Sequence, residues 1–174
     1  MLKRVLAKYS DQGIVTEASN EARELFQKNQ FGVLKNNHVI LSFFEAMYLL
    51  ENKKLTILNA KKELTEDALL QKIRKKVTDF QTKYVVFRDL REKGYIVKTA
   101  LKFGADFRVY DKGIAPGQDH SKWIVFPVHE SEKLTWHGFS AKNRVAHSTK
   151  KHLLIAIVDD EEDVTYYDVN WTRP

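Results

Sequence analysis

The spacing of apolar residues changes along this chain, and each change marks an element. Short apolar pieces at Lys3–Ala7, Gly13–Val15 and His38–Leu41 alternate with polar connections. They read as strands around a helix at Ala18–Gln27. Ser42-Phe-Phe-Glu45 has the form of a capping box, with Ser42 as N-cap and Glu45 reaching back to it. Phe44, Met47, Tyr48 and Leu50 then carry a helix to Asn52, and Leu55–Leu58 is a short strand or extended link. Thr65 is a second N-cap, followed by Glu66 and Asp67 where the helix dipole favours acids. Leu69, Ile73, Val77 and Phe80 form one apolar stripe at helical spacing. The opposite face, with Lys72, Arg74, Lys75 and Lys76, reads as a solvated helix surface rather than a phosphate-binding one. The pattern resets around Phe80, a third helix runs Tyr84–Lys93, and Gly94 stands where a C-terminal glycine belongs.

Beyond Gly94 the period shortens to that of strands: Tyr95–Leu101, Phe107–Tyr110 and Trp123–Val128. Leu134–His147 returns to helical spacing, weakened by Gly138. His152–Val158 is the most continuous apolar run and predicts a central strand covered on both faces. An acidic turn, Asp159–Asp163, leads to a last strand at Val164–Val169. The pattern predicts a mixed α/β (α+β) chain: a small N-terminal α/β domain over residues 1–80, then a mixed-sheet domain with flanking helices over 81–174.

The 174 residues, 43% hydrophobic and 11% aromatic, support packed cores rather than disorder. No apolar run is long enough to span a bilayer, and the amino terminus has no signal-like apolar segment. The lack of cysteine excludes a disulfide framework, a thiolate metal site and a cysteine nucleophile, and a cytoplasmic location is the default. A net charge of +6 points towards an anionic partner, nucleic acid first, although 23 acidic residues are interspersed with 29 basic ones.

The chain carries no HExxH, nucleophile elbow, phosphate loop or dinucleotide fingerprint. Its histidines, at positions 38, 120, 129, 137, 147 and 152, have no metal-ligand spacing, so neither a metal site nor a cofactor is expected. What remains is a polar loop with Gly113, Pro116 and Gly117 between two strands. Tyr110 stands at its entrance and His120 at its exit, and Lys150 and Lys151 precede the long apolar strand. That set of side chains suits RNA cleavage by the neighbouring 2'-hydroxyl. Such a reaction needs a base for that hydroxyl, an acid for the departing 5'-oxygen and a cation for the phosphoryl oxygens. Histidine suits proton transfer near neutrality and lysine the cation. Tyrosine serves as a base only with positive charge nearby.

Several motifs occur in one order: Gly94-Tyr-Ile-Val-Lys98, Lys102-Phe-Gly-Ala-Asp-Phe-Arg-Val-Tyr110, His120-Ser-Lys-Trp123, and Arg144-Val-Ala-His-Ser-Thr-Lys-Lys151 before the apolar strand. In these the chain resembles the archaeal tRNA-intron (splicing) endonuclease family, homotetrameric type, most closely over residues 81–174. The resemblance implies a nuclease-like catalytic domain that cuts precursor tRNA at a bulge-helix-bulge without metal, leaving 2',3'-cyclic phosphate and 5'-hydroxyl ends. It implies Tyr110 as general base, His120 as general acid and Lys151, or the adjacent Lys150, as the cation. It implies RNA binding by Arg144 and, at the carboxy-terminal end, by Arg173. Homotetramers are implied too, with Asp159, Asp160, Glu161, Glu162 and Asp163 at the interface between dimers. The alternatives are a metal-dependent nuclease using Asp106 or Asp119 with a lysine, and a non-catalytic RNA-binding subunit.

Overall fold

The computed structural model describes residues 4–10 and 13–174. It is a mixed α/β chain that divides into two compact units, Met1–Phe80 and Gln81–Pro174, each with its own sheet.

In the first unit the strands are β1 (Val5–Ser10), β2 (Gly13–Thr16), β3 (Val33–Lys35), β4 (His38–Leu41), β5 (Leu55–Asn59) and β6 (Lys62–Glu63). They form one sheet in the order β3-β4-β2-β1-β5-β6, with β1 and β5 parallel and the other pairs antiparallel. Lys3, placed in the first strand by its sequence, lies outside the described residues. Helices α1 (Asn20–Gln27), α2 (Phe43–Glu51) and α3 (Glu66–Arg74) start at Ser19, Ser42 and Thr65, whose side chains accept the backbone N–H groups of Ala22, Glu45 and Ala68. The box at Ser42 and Glu45 is fully formed. Glu45 is buried, and its second oxygen accepts the Gly32 N–H at 2.8 Å, tying α2 to the turn before β3. Gly32 has φ +67°, and an added Cβ would lie 2.5 Å from Val39 Cγ1. The stripe from Leu69 to Phe80 is broken rather than continuous: α3 ends at Arg74, Asp79 takes φ +54°, and Phe80 opens the next helix. The short β3 and β6 have no signature in the sequence because all their residues are exposed, so no apolar alternation marks them.

Helix α4 (Phe80–Glu92) starts at the last residue of the first unit, and the second unit carries the rest of it with β7 (Ile96–Thr99), β8 (Phe107–Tyr110), β9 (Trp123–His129), α5 (Trp136–Ser148), β10 (His152–Val158) and β11 (Val164–Val169). The sheet order is β11-β10-β9-β8-β7. Only β9 and β10 run parallel; the other neighbours are antiparallel. Phe107 meets Phe87 of α4, 5.8 Å between centroids, while Ile124, Phe126 and Leu153 pack with Ala146 and Phe139 of α5. The two helices thus cover opposite faces. The apolar run at β10 is not the central strand, a place that β9 takes. Leu153, Ala156 and Val158 are buried, but Ile155 and Ile157 are only half-buried. Among the described residues no helix is long and apolar enough to cross a membrane.

Candidate active site

The topology of the second sheet brings three chain segments to one end. Strand β8 runs antiparallel to β9, so its last residue, Tyr110, lies beside the start of β9. Strand β10 runs parallel to β9 with His152 opposite Trp123, and the His152 N–H donates to the Lys122 carbonyl at 2.9 Å. The residue before β10 therefore stands next to the residues that enter β9. These ends line a cleft of about 400 Å³ that contains Tyr110, His120 and Lys151 together with Phe103, Arg108 and Ser121.

The loop between β8 and β9 is held by its own polar groups. Lys122 Nζ bridges its neck to Asp111 Oδ2 at 3.1 Å, and Asp111 Oδ1 accepts the Lys112 N–H. Asp111 is held below the usual carboxylate range by that backbone hydrogen bond first and by Lys122 second. Gly113 and Gly117, at φ +82° and +95°, make turns that a side chain would strain. The Gln118 side chain accepts the Ala115 N–H, and Asp119 Oδ1 accepts the His120 N–H at 2.6 Å. Asp119 thereby fixes the backbone at His120. The imidazole itself is exposed and makes no hydrogen bond among the described residues. Tyr110 is 4% exposed, and its hydroxyl likewise has no partner there.

The way α5 ends decides which lysine enters the cleft. Thr149 caps the helix, and Lys150 follows with φ +54°. The Lys150 N–H returns to the His147 carbonyl and the Lys151 N–H to the Ala146 carbonyl, the paired bonds of a Schellman turn. The reversal leaves Lys150 exposed beside a neighbouring hollow and swings Lys151 into the cleft. Lys151 Nζ donates to the Thr149 carbonyl at 3.0 Å and lies 5.8 Å from the Phe103 ring. Burial, and then the positive charge of Arg108, lower its pKa from the ordinary lysine value.

Arg144 and Arg173 do not line this cleft. Arg144 is exposed on α5, one turn before His147. Arg173 lies with its guanidinium 5.6 Å from the Trp171 ring, which packs on His147 at 4.6 Å. His147 and Trp171 line the hollow that adjoins the cleft, and Lys151 lines both. Asp106 is outside the cleft, in an ion pair with Lys83 at 2.9 Å. Among the described residues no three His, Cys, Asp or Glu side chains are grouped so as to hold a metal ion.

The pattern for the tRNA intron endonuclease catalytic C-terminal domain matches residues 80–166, and that for the N-terminal domain of the same proteins matches residues 5–70. A tRNA-splicing endonuclease of Pyrococcus abyssi is 39% identical over 173 residues, covering 99% of both chains. One from Methanothermobacter thermautotrophicus is 40% identical over 171 residues, 98% of this chain and 99% of that protein. One from Nanoarchaeum equitans is 40% identical over 154 residues, 82% of this chain and 99% of that protein. The chain belongs to the tRNA intron endonuclease family. It is an endonuclease, and its cleft lies in the segment that matches the catalytic domain of the family.

Arg108 is a charged residue of the cleft to which the sequence pattern assigned no role. In Phe107-Arg-Val-Tyr110 it reads as the polar partner in an alternating strand, and strand alternation alone does not say whether a polar side chain faces water or a site.

Proposed function

We propose that this endonuclease excises introns from precursor tRNA in the cytoplasm, cutting at bulge-helix-bulge junctions without a metal ion and leaving 2',3'-cyclic phosphate and 5'-hydroxyl ends. The observation that carries the proposal is the meeting of Tyr110, His120 and Lys151 in one cleft. Tyr110 takes the proton from the 2'-hydroxyl, whose oxygen attacks the adjacent phosphorus. His120 gives a proton to the departing 5'-oxygen, and Lys151 offsets the charge that grows on the phosphoryl oxygens. All three roles of the reaction are filled by side chains already present, so no metal-activated water is needed. The unpartnered Tyr110 hydroxyl and His120 imidazole suit groups that exchange protons with a substrate.

Arg144 and Arg173 extend this surface along α5 and the carboxy-terminal tail, where their guanidinium planes stack on or pair with unpaired RNA. Flipped-out bulge bases give such a surface something to read that a continuous duplex hides. Two cuts per intron need two cleavage centres, which a homotetramer supplies. The acidic turn is its docking element, carried chiefly by Glu161 and Asp163. Asp160 faces His129, Glu162 is paired with Arg88 and Gln81, and Asp159 accepts the backbone of its own turn.

Replacing His120 with alanine tests the assignment. Cleavage of a bulge-helix-bulge RNA falls at least about a hundredfold, the scale of a lost general acid, while RNA binding stays near that of the wild type. An unchanged cleavage rate removes His120 from the mechanism.

A further inference from the structure

Arg108 and Lys151 face the same cleft, and neither has a carboxylate against it. Arg108 Nε is buried without a hydrogen-bond partner among the described residues, and its guanidinium carbon lies 5.8 Å from the centroid of the Tyr110 ring. Lys151 Nζ donates to one backbone carbonyl, that of Thr149, which leaves two of its three N–H groups for other acceptors. Asp106 is engaged by Lys83 and Asp111 by Lys122; Asp119 lines the cleft, with one oxygen held by the His120 N–H and, among the described residues, no ion pair to either cation. The two cations are close enough for Arg108 to disfavour the charged form of Lys151. A buried unpaired donor and two like charges around one opening both oppose folding. An anion in the cleft, held by the terminal N–H groups of Arg108 and by Lys151, offsets the like charges.

We infer that Arg108 is a second phosphate-binding catalytic residue, whose guanidinium N–H groups hold a non-bridging oxygen of the scissile phosphate alongside Lys151. The planar fork of arginine matches two phosphate oxygens in a way that a lysine point charge does not. Its place on β8, two residues before Tyr110 on the same face, fixes it relative to the base. As the attacking 2'-oxygen bonds to phosphorus, charge builds on the non-bridging oxygens, and both cations gain attraction in the transition state. The inference rests on the reading of this cleft as the RNA-cleaving centre.

The test compares wild type, Lys151→Ala, Arg108→Gln and Arg108→Lys in single-turnover cleavage of a bulge-helix-bulge RNA in EDTA. A parallel measurement follows binding of the same RNA with 2'-deoxy residues at the cut sites. Arg108→Gln is expected to cleave on the order of a hundredfold slower with binding nearly unchanged, and Arg108→Lys to recover part of the loss. RNAs with sulfur in place of either non-bridging oxygen add a readout that a structural role does not move. For one diastereomer the slowing seen in wild type shrinks in Arg108→Gln, because the contact to that oxygen is already gone. Should Arg108→Gln not fold, Arg108→Lys carries the same sulfur comparison. If the variant cleaves within about threefold of wild type, or shows wild-type sulfur effects at both oxygens, the inference is overturned. A loss on Lys151→Ala in that case leaves the cleft reading standing. A wild type that does not cleave in EDTA removes both.

Discussion

Lys150 and Lys151 are adjacent in sequence and opposite in situation. Lys150 takes a left-handed backbone conformation with φ +54° to close α5, while Lys151 turns into the cleft beside Tyr110 and His120. A non-glycine residue in that region is strained, so Lys150→Gly is expected to raise stability by roughly 0.5 to 1 kcal/mol in urea unfolding. Cleavage by that variant stays at the wild-type rate, whereas Lys151→Ala abolishes most of it. The reverse pattern in the cleavage assay would move the cation to Lys150. The Lys-Lys pair is ambiguous as sequence because the choice is made by a helix ending that contains no glycine to announce it. Tyr110 and His120 were legible as the ends of a glycine- and proline-bearing loop. Arg108 was not, because the burial of its Nε and its place on the cleft arise only in the folded chain and leave no local pattern.

At the scale of elements, local signals read well and non-local ones did not. Ser42 and Glu45 stand three apart, so their capping box is visible in the chain and present in the fold. The third role of Glu45, accepting the Gly32 N–H, joins residues 13 apart in sequence and has no local pattern. Glu45→Ala leaves the buried Gly32 N–H and the Ser42 N–H without their acceptor. A loss of about 2 to 4 kcal/mol in unfolding free energy is expected, well beyond the value of a simple exposed cap. A loss near that of a simple cap would show that water or another group replaces the carboxylate. Strand β10 shows a similar limit. Its apolar run fixed its type, but its place beside β9 depends on pairing that sequence does not display, and half-exposed Ile155 and Ile157 mark it as second from the sheet edge.

For the whole molecule, the decisive feature is the parallel pair β9 and β10 set beside the antiparallel pair β8 and β9. That arrangement alone gathers a strand end, a loop exit and a helix ending, drawn from three motifs distant in sequence, around one opening. The order of the motifs was readable, and their convergence required the sheet. Assembly belongs to this scale as well. The acidic turn keeps Asp159, Asp160 and Glu162 for its own chain, so reversing only Glu161 and Asp163 to lysine tests docking without unsettling the turn. Sedimentation of that variant is expected to give dimers where wild type gives tetramers, and wild-type sedimentation would exclude the turn as the docking element.

The central claim is that the substrate supplies its own nucleophile and the cleft supplies everything else. It is tested most directly by incubating the wild-type protein, in excess EDTA, with a bulge-helix-bulge RNA and with the same RNA carrying a 2'-deoxy residue before each scissile phosphate. The account predicts cleavage of the all-ribose RNA to 2',3'-cyclic phosphate and 5'-hydroxyl ends, and none of the deoxy RNA. Cleavage of the deoxy RNA, or activity that disappears in EDTA and returns with magnesium, would contradict it.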